Sequence, residues 1–206
     1  MKKIERIELL LTVKIEFNEN LENIMKVLEF GNSKEKIRIL EGLPETEDEN
    51  IIEKIISRLD DDDIEVRGEA FSWLILNKMK ITKFLVKALG SPSKNIRGFS
   101  ALVLANRNDV DSIPEIMRLA NDERSMVRSC IVGALGYLKA HEAKEIILKS
   151  IFDPNLEVRK SGLQAMIDLK IPISDSKMKE FIEKDEDLEM KKLMVRIKEI
   201  SGPEGI

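Results

Sequence analysis

The sequence predicts an all-α fold, a right-handed α-solenoid or superhelix of about six helix pairs closed by a C-terminal helix. Three observations predict it. Leu, Ile, Glu, Lys and Met dominate, with only six prolines, ten glycines and 4% aromatics in 206 residues, a composition that favours helices over strands. A basic residue recurs at Arg38, Arg67, Arg97, Arg128, Arg159 and, as lysine, Lys191, at spacings of 29, 30, 31, 31 and 32 residues. Other columns move in phase with it, which is the signature of a stacked array rather than of a single globule.

Taken in order, the repeats are predicted at 3–31, 32–60, 61–90, 91–121, 122–152 and 153–184, with a final helix over 185–200 and a frayed tail at 202–206. Immediately before the basic residue stand Ile37, Val66, Ile96, Val127, Val158 and Met190, all apolar. Six positions before it stand Asn32, Asp61, Ser91, Asp122, Asp153 and Asp185, residue types that cap helix N-termini. Seven positions after the four central arginines lie Leu74, Leu104, Leu135 and Met166. Breaks near Pro44, Asn77–Lys78, Asn106–Asp109, Ala140–His141 and Pro172–Ser174 divide each unit into two helices. Gly31 and Gly90 are expected to end second helices in the left-handed conformation. Each pair is too small to bury its own apolar stripe, so stacking on the next pair is required.

Asp61 to Leu74, DDDIEVRGEAFSWL, and Asp153 to Met166, DPNLEVRKSGLQAM, resemble the short HEAT-like repeat of the phycobilisome lyase type. Leu138 to Ile151, LKAHEAKEIILKSI, resembles that family's second helix, and Pro114 sits where such helices often carry proline. The resemblance covers about 32–195 and implies an armadillo-like superhelix. Its motif consists of packing and capping residues, so it implies little about activity. In proteins that resemble this one, second helices line the concave surface.

The arginines Arg38, Arg67, Arg97, Arg128 and Arg159 are read as a structural ladder with Asp61, Asp122 and Asp153, charge-assisted hydrogen bonds joining adjacent inter-repeat loops. Trp73 and Phe71 align with apolar columns and are expected in the core, whereas Phe99 and Tyr137 fall in mixed columns and are expected at the surface. Tyr137 is a candidate partner contact.

Composition excludes several chemistries. One histidine, His141, and one cysteine, Cys130, leave no imidazole–thiolate metal set and no Ser–His or Cys–His pair beyond His141, which falls at an inter-helix turn. A single His141–Glu142 step is too few for a di-iron site of the deoxyhypusine hydroxylase kind. The run Asp60-Asp61-Asp62-Asp63 lacks the alternation and central glycine of a calcium loop and is read as a helix cap. No glycine-rich phosphate loop is present. A sequence pI near 5.4 with one tryptophan and one tyrosine argues against an alkylpurine DNA glycosylase. No cofactor or metal is expected.

The charges are uneven. Residues 45–63 are rich in acids, whereas none occurs from Ala70 to Asn108, a window carrying Lys78, Lys80, Lys83, Lys87, Lys94, Arg97 and Arg107. Lys80, Lys83 and Lys87 fall at i, i+3 and i+7, one helical face. With Lys94 they form the predicted seat for an acidic segment of a protein partner, and flanking acids argue against nucleic acid. The expected function is a non-catalytic scaffold or adaptor that binds on the concave face. A helper subunit of the bilin-lyase type and a nucleic-acid-associated protein are the alternatives. Met1 to Phe17 is charged every few positions, no apolar run approaches a membrane span, and the solitary cysteine suits a reducing compartment, so a cytoplasmic location is expected.

Overall fold

The computed structural model describes residues 21–184 and 187–201, and every regular element among them is helical. The predicted first helix of repeat 3–31 in its early part, Asp185 and the tail at 202–206 lie outside the described residues. The chain is an all-α solenoid of short helices. It divides into two compact units, Met1–Lys80 and Ile81–Ile206, so the predicted repeat 61–90 is split between its two helices.

In the first unit, α1 (21–30), α2 (Ser33–Gly42), α3 (Glu49–Ser57) and α4 (Ile64–Leu76) follow one another, with a 3-10 turn at Arg58–Asp60. Helix α2 packs on α4, and α3 closes over α4 and the turn. Ile51, Ile52, Ile55, Leu59, Val66, Ala70 and Leu74 form the core. Each buried Ile or Leu contributes about 1.5–3 kcal/mol relative to exposure.

The second unit contains α5 (Thr82–Ala88), α6 (Lys94–Asn106), α7 (Ile113–Met117), α8 (Ser125–Tyr137), α9 (Lys144–Ser150), α10 (Leu156–Leu169), α11 (Asp175–Lys184) and α12 (Leu188–Ser201). The first helices α6, α8, α10 and α12 stack in sequence, and α5, α7 and α9 pack against them. Val103, Leu104, Val127, Ile131, Leu135, Leu163, Met166, Met190 and Met194 are buried along that stack.

The helix starts differ from expectation by two residues. The caps are Asp63, Ser93 and Asn155, whose side-chain oxygens accept from backbone N–H groups of the first turn. Asp61 and Asp153 stand two positions before such caps, and Asp122 two before Arg124, whose side chain makes no capping bond. Each aspartate instead accepts the backbone N–H two residues on, from Asp63 (3.2 Å), Arg124 (2.9 Å) and Asn155 (2.9 Å). A short Asx-type turn therefore leads into each helix and leaves the second carboxylate oxygen for another partner. Asn32 is a true cap, with Glu35 completing a capping box.

The helix ends also differ. Gly31 and Gly90 are not left-handed. That conformation belongs to Asn108, Lys139 and Lys170, at φ 55°, 55° and 54°. Lys170 N–H donates to Ile167 O (3.2 Å) and Ile171 N–H to Met166 O (2.9 Å), the paired bonds of a Schellman end. Asn108–Asp109 and Lys139–Ala140 repeat the pattern.

Candidate functional site

Between consecutive first helices of the second unit runs a row of charge-assisted bonds. Arg97 gives Nε and Nη2 to the two oxygens of Asp122 (2.8 and 3.0 Å) and Nη1 to the carbonyls of Ser91 and Pro92 (2.9 and 3.0 Å). Arg128 repeats this on Asp153 (2.8 and 2.8 Å) and on the carbonyls of Asp122 and Glu123 (2.9 and 3.3 Å). Within their own loops, Arg159 reaches the carbonyls of Asp153 and Pro154 (3.1 and 3.2 Å) and, in the first unit, Arg67 those of Asp61 and Asp62 (2.6 and 3.1 Å). In Arg97 and Arg128 one guanidinium thus ties its own loop and the next, a fork no lysine reproduces.

Partial burial alone would raise the Asp122 and Asp153 carboxyls. The hydrogen bonds from Arg97 and Arg128, the backbone N–H donors and the surrounding arginine charges outweigh it and hold both below the usual range. The same bonds raise Arg97 and Arg128, against the opposing effect of burial.

Arg38 does not join this row. The equivalent position, four residues after the cap Asn32, is Lys36, whose ammonium meets Asp61 at 2.8 Å. Arg58 Nη1 reaches the same carboxylate at 3.1 Å. Arg38 is exposed on α2.

The lysines fall into different settings. Lys80 lies in a bend before α5 and closes the first unit, so it does not share a helical face with the others. Asn77 causes this: its carbonyl oxygen accepts the Met79 N–H (3.2 Å), and its amide donates to Thr46 O (2.7 Å), holding 77–80 off the helical path. Lys83 and Lys87 are both exposed on α5, one turn apart, while Phe84, Leu85 and Ala88 bury the opposite face. The Lys83 ammonium sits 4.5 Å from the Phe84 ring centroid, a cation–π contact. Lys94 is exposed in the first turn of α6.

Tyr137 ends α8 and is 58% exposed. Trp73 is buried, with its indole N–H donating to Leu43 O (3.0 Å), whereas Phe71 and Phe99 are half-buried. His141 is exposed at the start of a 3-10 turn. Burial pushes the Cys130 thiol up to about 11, away from the reactive thiolate form. No group of three or more His, Cys, Asp or Glu side chains among the described residues could hold a metal ion. No described helix is long and apolar enough to cross a membrane.

Sequence reasoning missed an open groove of about 770 Å³ in the second unit, lined by α7, α9, their following loops and side chains of α8 and α10. Met117, Ile146 and Phe152 supply apolar wall, and Glu123, Glu145 and Lys149 supply charge. Lys149 donates to Asn121 across it (3.2 Å). Its lining takes in the repeated Asp122, Arg128, Asp153 and Val158, but Met117, Ile146, Lys149 and Phe152 belong to no repeated column, so no periodicity announces it.

No curated protein matches this chain. Among solved structures it is similar to the complex of CpcE and CpcF of phycocyanin lyase from Nostoc sp. PCC7120. That likeness has 17% identity and a TM-score of 0.61, over 71% of this chain and 96% of that one. It is also similar to a designed armadillo repeat protein in complex with the peptide (KR)4, at 15% identity and a TM-score of 0.53, over 92% and 94% of the two chains. Computationally designed armadillo repeat proteins for modular peptide recognition match at 16% identity and a TM-score of 0.54, over 91% and 94%. At these identities the likeness is one of fold. The family model for HEAT repeats matches residues 82–193, more than half of the sequence and the same stretch in which the arginine–aspartate rows join stacked helices: the chain belongs to the HEAT-repeat family.

Proposed function

We propose that this chain is a non-catalytic protein-interaction scaffold or adaptor, and that its second unit captures an acidic segment of a partner protein on the lysine-bearing surface of α5 and the start of α6. The observation that carries the reading is the pair Lys83 and Lys87, exposed on a helix whose other face is buried, within a window from Ala70 to Asn108 that has no acidic residue. A field of one sign steers an oppositely charged segment and selects against its opposite. Lys94 extends the surface, and Tyr137 offers an exposed ring with a hydroxyl.

The test uses a fluorescent, capped hexa-glutamate peptide at about 0.1 M salt. Lys83→Glu with Lys87→Glu should raise Kd about tenfold or more while leaving the helical circular dichroism unchanged, since each exposed charge pair is worth up to about 1 kcal/mol. Unchanged affinity in the double variant removes the surface from consideration.

A second reading, a helper subunit in a lyase-type assembly, is favoured only by the likeness to the CpcE and CpcF complex. A bilin chromophore retained by the purified chain would support it over the scaffold.

A further inference from the structure

The first unit carries a second surface of opposite character. A groove of about 220 Å³ opens between α2 and α4. At ~30 Å³ per water this is room for about seven waters, suited to one long side chain rather than to a cofactor. Its apolar lining includes Leu43, Trp73 and Leu76, and Leu76 is 71% exposed. Glu41, Glu45 and Glu69 line it together with Ser72 and Asn77, and the lining contains no lysine or arginine.

Elsewhere in this unit the inter-helix carboxylates are paired. Glu29 meets Lys54, and Asp61 meets Lys36 and Arg58. Among the described residues no ion pair engages Glu41, Glu45 or Glu69. Arg38, the last basic residue of α2, is exposed and outside the lining. Adjacent backbone is bare as well: a Cβ built on Gly42 or Gly68 would meet nothing within 4 Å. The groove is therefore open, apolar at its base and negative around it.

From this we infer that the α2–α4 groove is a docking site for a basic segment of a partner protein, seating one arginine side chain. The arginine's methylene stem packs on Leu76 and Trp73, and its guanidinium lies among the three carboxylates. Long cationic side chains bury their stems along apolar surface and keep the charge at the edge, and the guanidinium fork matches carboxylates better than a lysine ammonium does. This surface takes the opposite charge from the lysines of α5, and the two stand or fall separately.

Trp73 is the sole tryptophan, so its emission reports on this groove alone. Titrating the full chain with capped hexa-arginine should shift that emission saturably, with Kd several-fold lower than for hexa-lysine and rising steeply with salt. Glu41→Gln, Glu45→Gln and Glu69→Gln together should raise Kd at least tenfold. Ser72→Lys, which places a resident ammonium in the groove and keeps all three carboxylates, should do the same. Both changes lie on the surface, and circular dichroism checks the fold. Emission that does not respond to hexa-arginine, an equal shift of Trp73 emission by hexa-glutamate, or wild-type affinity in both variants would overturn the assignment.

Discussion

The two units solve the same problem, holding short helices in register, by different means. In the second unit arginine forks clasp Asp122 and Asp153 through two bonds each. In the first, Asp61 is held by the single ammonium of Lys36 with Arg58 in support. Glycines at the helix–helix contacts differ in the same sense, although Gly133 of the second unit also faces open space. Gly136 lies against Ala165, and Gly162 against Ser150 and Ile151, while Gly42 and Gly68 face open space. Helices α6, α8 and α10 end in left-handed residues at 31-residue intervals, Asn108, Lys139 and Lys170, whereas α2 and α4 end in extended Leu43 and Asn77. The second unit is a close-tolerance stack and the first a looser one. The repeated carboxylate defines the joint, and the cation that fills it is interchangeable where space allows.

Removing the cation gives the largest predicted difference. Arg128→Ala strands a largely buried Asp153 carboxylate and frees two loop carbonyls, and should cost about 3 kcal/mol in urea unfolding. Lys36→Ala should cost about 1 kcal/mol, because Arg58 still engages Asp61. The acid limb supplies an independent reading. Asp122 and Asp153 are held below their ordinary values, so near those values the unfolded chain binds more protons than the folded one. That stabilisation is complete above the ordinary carboxylate range and disappears as pH falls through the folded values. Arg128→Ala should flatten this acid slope. Equal losses at Arg128 and Lys36, with the slope unchanged, would erase the distinction between the two kinds of joint.

Glycine substitutions should then move stability in opposite directions. A methyl group at Gly162 would overlap Ser150 Oγ and stand 3.0 Å from Ile151 Cγ2 and 3.1 Å from its backbone nitrogen. Ser150 already donates to Ile147 O at 2.7 Å, so it cannot yield without losing that bond. Gly162→Ala should cost about 2 kcal/mol. Gly68→Ala meets nothing within 4 Å and should gain about 0.5–1 kcal/mol from helix propensity. Gly133→Ala, on an open face of α8, is the control within the tighter unit and should also gain. A loss at Gly68 would show that the looser packing of the first unit had been misjudged.

Much of this was legible because each repeat writes its packing needs in phase. The helix pairs and the buried Trp73 follow from apolar columns. The first rung was misplaced because only Gly31 separates the end of α1 from the cap Asn32. The Asx turn that precedes α4, α8 and α10 has no room there, and without its aspartate the register slides from Lys36 to Arg38. Lys80 was placed on a helix because i, i+3 and i+7 spacing is blind to what Asn77 does with its side chain. The boundary after Lys80 left no trace, since the arginine column runs through it unbroken. Neither groove was visible, because each gathers residues from helices and loops of adjacent repeats.

The smallest predicted effect tests the helix ends. Lys170 occupies φ 54°, ψ 41°, where a side chain crowds the following carbonyl at a cost of about 1–2 kcal/mol. Glycine removes that crowding but gives the unfolded chain more freedom, so Lys170→Gly should gain only about 0.5–1 kcal/mol. Lys139 holds the same backbone geometry, yet its ammonium also donates to Asp168 O at 2.9 Å, a bond to the next repeat. Lys139→Gly should therefore gain less than Lys170→Gly, or nothing. Leu43, extended at φ −77°, ψ 122°, has no such strain to relieve, and glycine there should bring no gain. The order of these three variants in one unfolding series separates backbone strain from side-chain bonding. A larger gain at Lys139 than at Lys170 would mean that its bond to Asp168 contributes nothing to the stack.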